Sequence, residues 1–214
     1  MLPSRLRLVT PLPEAPVDEA EALGDLVAGL RMGRPSAQRQ LLERFSPFVE
    51  RVLTRILGVT SDLEDLEQEV FVRVFERVGE LREATALRGF VASVAVFVAR
   101  EALRAKRRRW WLFFMAPEAT PDIELVGIDA VAREAVRAFY EVVGKLPEDE
   151  RIAFCLRYVE GMELTELAAV CACSVSTIKR RLRAAEVRFA RWSAQRAELV
   201  DLLEEGTRWP KSKR

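Results

Sequence analysis

The sequence predicts an all-α protein of two helical domains joined by a flexible linker. Apolar residues recur at helical spacing from residue 17 onward, and no segment shows the apolar–polar alternation of a half-buried strand. Residues 110–127 interrupt this pattern with the run WWLFFM, followed by two prolines and a glycine, which is typical of a linker. We therefore expect a first domain over residues 17–109 and a second over residues 128–192.

The segments outside these domains differ in composition. Four prolines punctuate residues 1–16, which predicts a largely disordered segment. Residues 193–214 are interpreted as a C-terminal extension, an amphipathic helix followed by a basic end. The WWLFFM run next to basic residues has a membrane-surface anchor as its alternative interpretation. Burial against a domain or a partner is favoured, because six residues make a short anchor.

The composition argues against several functional classes. The chain has 214 residues, a formal net charge of +1, three cysteines and no histidine. It therefore lacks the commonest general base and zinc ligand, and three cysteines are an odd number for a disulfide framework. No apolar run is long enough to cross a bilayer, and no signal-peptide core begins the sequence. We expect a cytoplasmic protein that is not an enzyme, with no cofactor, no metal site and no membrane insertion.

Apolar stripes predict four helices in the first domain. The first ends near Gly33, and the second begins with Ser36 as its N-cap and is kinked or broken at Pro47. The third covers about residues 62–78 and the fourth about residues 86–109. The residues expected to face the core are Leu23, Leu26, Val27, Leu30, Leu41, Leu42, Phe45, Phe48, Val49, Val52, Leu53, Ile56, Leu63, Leu66, Val70, Val74, Val78, Leu87, Phe90, Val91, Val94, Val98 and Leu103.

The second domain has the spacing of a helix-turn-helix. A short helix over residues 164–170 precedes a tight turn at residues 171–173, and Ser174 then caps a longer helix. The residues expected to form their shared core are Leu164, Leu167, Ala168, Val175, Ile178 and Leu182. Cys171 and Cys173, with Cys155, are favoured as small turn and core residues over a redox or zinc site, because a fourth ligand is missing.

The longer helix presents hydroxyl and basic side chains on its outward side. Such a helix enters the major groove with its N-terminal part, where hydroxyl and basic side chains contact base edges, and flanking basic residues hold phosphates. The residues expected to contact DNA are Ser174, Ser176, Thr177, Lys179, Arg180, Arg181, Arg183 and Arg188. The alternative is a solvated basic helix on a helical bundle, which explains the charge but not the turn and core pattern.

A second group of outward polar and charged residues lies in DLEDLEQEVFVRVF, residues 62–75. Its outward residues are Asp62, Asp65, Gln68, Glu69 and Arg73. Acidic residues in a first turn suit the helix dipole, so an ordinary solvated face is one interpretation. A metal site is disfavoured, because the sequence has no histidine and no second helix of this kind.

Residues 37–109 and 128–190 together resemble a sigma factor of the extracytoplasmic-function group, the small two-domain bacterial transcription initiation factors. DLEDLEQEVFVRVF resembles the polymerase-binding segment of that family. KLPEDERIAFCLRYVEGMELTELAAVCACSVSTIKRRLRAAEVRF resembles its promoter-binding helix-turn-helix domain. The two motifs occur in the family's order, with a basic helix between them.

The resemblance implies which partners the protein binds and which helices bind each of them. The outward face from Asp62 to Arg73 would bind a coiled coil of core RNA polymerase, and the helix-turn-helix would bind the upstream, minus-thirty-five element of promoter DNA. The fourth helix, with the loop at about residues 79–89, would capture a flipped base of the melted minus-ten element. The residues assigned to melting are Phe90, Phe97, Glu101, Arg104, Lys106, Arg107 and Arg108. An anti-sigma protein holds many relatives inactive and is a further expected partner.

This sequence departs from the family in the melting segment. Phe90 stands where relatives often have Trp, Phe97 where they have Asn, and Glu101 where they have Asp. Ser176 replaces a common Gly in the helix-turn-helix. Two alternatives therefore remain open: a helix-turn-helix regulator that acts without polymerase, and a sigma-like adaptor that no longer melts DNA.

Overall fold

The computed structural model describes residues 17–58, 60–113, 130–196 and 199, and every regular element in these residues is helical. The predicted all-α fold with two helical domains is confirmed. The predictions for residues 1–16, for most of the linker and for most of the C-terminal extension concern residues outside this description.

The first domain consists of four helices around one core. These are α1 (Val17–Arg31), α2 (Pro35–Leu57), α3 (Leu63–Arg77) and α4 (Leu87–Phe113), with short 3₁₀ turns at Val78–Glu80 and Ala84–Ala86 between α3 and α4. α2 contacts α1, α3 and α4, so its apolar stripe, which includes Val49, Val52 and Ile56, is fully buried. The predicted stripes of α1 and α3 also face this core.

The start of α2 differs from the prediction. Ser36 is not the N-cap, because Arg34 occupies that position and Pro35 begins the helix. The fixed φ and missing N–H of proline suit the first helical position. The helix does not break at Pro47, and the kink that the sequence also predicts there stays a prediction. Pro47 lies on the exposed side, where water can satisfy the carbonyl that loses its partner.

Two further expectations about the first domain were wrong. Leu42 is exposed, because it neighbours Leu41 but falls outside the stripe that α2 buries. α4 continues to Phe113, beyond the end predicted for the fourth helix at about residue 109. The next helix-breaking residue after this point is Pro117, so nothing in the sequence ends the helix earlier.

The second domain contains α5 (Ala130–Gly144), α6 (Glu148–Phe154), α7 (Leu164–Val170) and α8 (Val175–Ser193). α6 continues into a π-helical turn at Cys155–Val159. An aromatic cluster holds the domain together. The Phe154 ring centroid lies 4.9 Å from that of Phe189, 5.0 Å from that of Tyr158 and 6.4 Å from that of Phe139.

The two domains are in contact, which the sequence did not predict. α4 contacts α6 and α7, α2 contacts the π-helical turn, and the buried apolar residues form one continuous cluster. A second apolar stripe on α4 explains this contact, because Ala92, Ala95, Val96 and Ala99 are buried beside the inner stripe of that helix.

Two backbone features lie at the contact between the domains. Gly58 ends α2 with a φ of 79°, which favours glycine, and a Cβ there would lie 3.7 Å from the ring of Tyr140. The guanidinium of Arg151 donates a hydrogen bond from Nε to the carbonyl oxygen of Ile56 at 2.6 Å. A side chain of the second domain thus satisfies one of the last carbonyls of α2.

Candidate nucleic-acid interface

The helix-turn-helix has the predicted geometry. The turn between α7 and α8 passes through Ala172, whose φ of 51° makes it left-handed. Ser174 is the N-cap of α8, and its Oγ accepts a hydrogen bond from the backbone N–H of Thr177 at 3.2 Å. Leu167, Ile178 and Leu182 are buried between the helices. α7 therefore holds the start of α8 in a fixed direction at the surface.

The N-terminal part of α8 presents a polar and basic surface. Ser176, Lys179, Arg180 and Arg183 are exposed, and no carboxylate of the described residues forms a salt bridge with the last three. The Ser174 Oγ lies 2.8 Å from the Ser176 Oγ and 2.9 Å from the Thr177 Oγ1. This arrangement places free donors where a base edge or a phosphate is able to reach them.

Two arginines expected to point outward are instead paired with carboxylates. Arg181 Nη2 lies 2.5 Å from Asp149 Oδ2, and Arg188 Nη1 lies 2.5 Å from Glu150 Oε1. Arg181 is only partly exposed, because α8 packs along α6 and turns this position toward the first turn of α6. In this state Arg181 is therefore not available to DNA.

The outward face of α3 is acidic at its start. Asp62, Asp65 and Gln68 are exposed, whereas Glu69 and Arg73 are half-buried. Arg73 Nη2 lies 2.6 Å from Glu69 Oε1, so the end of this face is held in place by an ion pair. At the beginning of α3, Asp65 is exposed and forms no ion pair with the described residues.

Arg73 connects α3 to the predicted melting segment of α4. Its guanidinium lies 2.7 Å from Glu101 and 4.8 Å from the ring centroid of Phe97. Phe97 is 42% exposed. Phe90 lies on the same side of α4 and is half-buried against the core.

The basic end of α4 is exposed at Lys106, Arg107 and Arg108. Arg104 differs from these residues, because its Nη2 lies 2.7 Å from Glu148 Oε1 of α6. The hydrogen bond to Glu148 raises the pKa of Arg104, so this side chain remains charged.

The sequence analysis did not single out one exposed apolar residue and several carboxylates that form ion pairs. Val72, on α3, is 53% exposed, and its position outside the apolar stripe of α3 was the available signal. The acidic side chains of α6 and the buried Glu160 were not singled out either, because their arginine partners lie far away in the sequence.

The cysteines have the environment of structural residues. Burial raises the pKa of Cys155 to about 12 and that of Cys171 to about 11, so both remain protonated thiols. The described residues contain no cluster of three metal-binding side chains. None of their helices is long and apolar enough to span a membrane.

Two family models match the chain. "Sigma-70 region 2" matches residues 41–109, and "Sigma-70, region 4" matches residues 136–188. The ECF RNA polymerase sigma-E factor of Haemophilus influenzae is 27% identical over 174 residues, which cover 76% of this chain and 92% of that protein. The chain belongs to the extracytoplasmic-function group of the sigma-70 family.

A second sequence relative agrees with this assignment, and one solved structure has a similar fold. This sigma factor is 26% identical over 166 residues to the RNA polymerase sigma-H factor of Pseudomonas aeruginosa, which covers 73% of this chain and 86% of that one. Its fold matches that of CnrH, solved in complex with the cytosolic domain of CnrY, with a TM-score of 0.58 and 20% identity over 81% of this chain and 97% of CnrH. Sigma factors are transcription initiation factors, which direct RNA polymerase to promoters and are not enzymes.

Proposed function

We propose that this sigma factor binds core RNA polymerase through α3, contacts an upstream promoter element through α8 and captures the melted element through α4. The main observation is that the N-terminal part of α8 exposes hydroxyl and basic side chains. The same chain also carries the acidic face of α3 and the predicted melting segment of α4. A helix-turn-helix regulator acting alone has no need of the α3 face. The factor acts in the cytoplasm, where the polymerase works, and does no covalent chemistry itself.

The residues divide among the three tasks. Those proposed to contact polymerase are Asp62, Asp65, Gln68, Glu69 and Arg73. Those proposed to contact the upstream element are Ser174, Ser176, Thr177, Lys179, Arg180, Arg181, Arg183 and Arg188. Those proposed for the melted element are Phe90, Phe97, Glu101, Arg104, Lys106, Arg107 and Arg108. CnrH was solved with another protein's domain bound, so we also propose an anti-sigma protein as a regulatory partner.

In vitro transcription on a promoter library tests the function. Core polymerase with this protein is expected to start transcripts from a defined subset of promoters that core polymerase alone does not use. Gel-shift and permanganate assays on the same promoters separate binding from melting. Absence of transcripts despite binding to polymerase would favour the adaptor hypothesis, which the burial of one face of Phe97 under Arg73 also supports.

Reversing two charges on α3 is expected to weaken polymerase binding. The double variant Asp65→Lys/Glu69→Lys should lose most of its affinity for core polymerase, because Asp65 is exposed and has no ion-pair partner among the described residues, and Glu69 orients Arg73. The fold should remain, since surface substitutions cost about 0.5 kcal/mol or less. Fluorescence anisotropy with core polymerase measures the affinity, and circular dichroism measures the fold.

Glu43→Lys/Glu50→Lys is a matched control for this variant. Both residues are exposed on α2, and the change in net charge is the same. Equal affinity of the α3 and α2 variants for core polymerase would show that the α3 face is not the binding surface.

Phe97→Ala is expected to impair promoter opening more than promoter binding. An exposed ring face stacks on an unpaired base with about 1–3 kcal/mol, and Phe97 is the most exposed aromatic of the described part of α4. Permanganate footprinting of unpaired thymines measures opening, and a gel shift measures closed-complex binding. Phe97→Tyr keeps the ring and should retain activity. Equal losses in both assays would make Phe97 a packing residue.

A further inference from the structure

The loop between α3 and α4 packs against α1. We call residues 81–86 the capture loop, because they lie within the segment that is expected to capture a flipped base together with α4. α1 contacts the 3₁₀ turn that precedes this loop and the 3₁₀ turn at its end. The family model of the first domain matches residues 41–109, so the helix that supports the loop lies outside that match.

The capture loop is anchored at its ends and exposed between them. Leu81 and Leu87 are buried, whereas Arg82 and Glu83 are exposed. The backbone is extended at Leu81 and Glu83, and the N–H of Ala86 donates a hydrogen bond to the carbonyl oxygen of Glu83 at 3.0 Å. The extended part of the loop is not a helix, so its position depends on the elements that contact it.

Arg31, the last residue of α1, connects that helix to the capture loop. Its guanidinium donates a hydrogen bond from Nη2 to the carbonyl oxygen of Leu81, 50 residues later in the chain. A hydrogen bond from a charged donor is stronger than one between neutral groups. Leu81 begins the extended part of the loop, so this bond fixes the point from which the exposed residues project.

The end of α1 is itself held in one conformation. Gly33 follows the helix with a φ of 65°, and its N–H donates a hydrogen bond to the carbonyl oxygen of Leu30 at 2.9 Å. The N–H of Arg34 donates to the carbonyl oxygen of Gly29 at 3.0 Å. Together these bonds form a Schellman motif, which closes the helix end. The side chain of Arg31 therefore extends from a fixed backbone.

We propose that Arg31 is a positioning residue for base capture, which holds the Leu81 carbonyl and thereby orders the exposed part of the capture loop before DNA binds. This inference rests on the proposed function, since it requires the melted element to be held beside α4. An ordered loop loses less conformational freedom on binding. A base that fits the ordered loop is therefore preferred, whereas a mobile loop accepts several bases with similar affinity.

Hydrogen–deuterium exchange of the free full chain tests the positioning. Arg31→Ala should speed the exchange of the amide hydrogens of residues 81–87 about tenfold, the order expected for loss of a hydrogen bond to a charged group. Arg34→Ala is the matched control, because Arg34 is exposed at the same end of α1 and its side chain forms no hydrogen bond with the capture loop, all of which the structure describes. Circular dichroism checks that both variants retain their helices. Equal exchange of the loop in the two variants would overturn the inference.

Base preference of the polymerase complex tests the consequence for DNA. Core polymerase with each protein is bound to a DNA library whose minus-ten element is randomised and unpaired, and the bound fraction is sequenced. Arg31→Ala should reduce the preference for the captured base about tenfold, the order of the loop stabilisation that is lost, while Arg34→Ala should keep it. Preference in a second library with a randomised upstream duplex should not change, because α8 belongs to the other domain.

A phosphate contact is the alternative role for Arg31. In that case Arg31→Ala would weaken binding to all members of the library equally and lower its salt dependence. A base preference that Arg31→Ala leaves intact would overturn this inference alone. If the wild-type complex showed no preference at any unpaired position, the proposed capture of the melted element would fail and this inference with it, while hydrogen exchange would still report whether Arg31 orders the loop.

Discussion

Phe154→Ala is expected to lower the free energy of unfolding of the second domain by about 3–5 kcal/mol, the range for removing a buried ring. The side chain is fully buried, and its ring packs against Tyr158 and Phe189. The cavity cannot close easily, because these partners come from different helical elements. A small domain has a total stability of only about 5–15 kcal/mol, so promoter binding should fall with the folded population.

Urea denaturation followed by circular dichroism measures this loss. Phe97→Ala is the matched control, because it removes the same ring from an exposed position above Arg73. Phe97→Ala should lower the free energy of unfolding by less than about 1 kcal/mol, which is the contribution of an exposed cation–π contact. A loss below 1 kcal/mol for Phe154→Ala would contradict the assignment of the aromatic cluster as the core of this domain.

Lys179→Ala and Arg180→Ala are expected to relax promoter preference at one or two upstream base pairs each. A side chain that contacts a base edge contributes about 1–3 kcal/mol of discrimination. Both residues are exposed in the first half of α8, near the capped N-terminus that enters the groove. Selection from a randomised upstream element, followed by sequencing, measures the preference.

Arg188→Ala distinguishes a base contact from a phosphate contact. Arg188 lies in the second half of α8 and pairs with Glu150, so its loss should weaken binding to all sequences to a similar extent. If Lys179→Ala and Arg180→Ala both select the same upstream consensus as the wild type, another part of α8 enters the groove.

Local signals made the helix-turn-helix predictable. The bounds of α7 and the Ser174 cap were predicted correctly, because apolar spacing and an N-cap serine act within a few residues of one another. The same local signals were ambiguous in α2. Ser36 and Pro35 both suit a helix start, and the backbone uses proline.

Long-range pairing could not be predicted in the same way. Arg181 was expected to be free, but its partner Asp149 lies 32 residues earlier in the chain. Glu160 gave no signal in the sequence, because its partners Arg51 and Arg55 belong to the other domain. The second apolar stripe of α4 is present in the sequence, but its residues Ala92, Ala95, Val96 and Ala99 were not among those predicted to be buried.

The hydrogen bond from Arg151 to Ile56 couples the two domains energetically. Separation of the domains removes a donor from the last turn of α2, which should fray more easily and exchange its amide hydrogens faster. That turn leads directly into α3, where polymerase is proposed to bind. By thermodynamic reciprocity, a polymerase that prefers one conformation of this junction must shift the balance between joined and separated domains. The end of α2 would then transmit core binding to the DNA-binding helix without any contact between polymerase and α8.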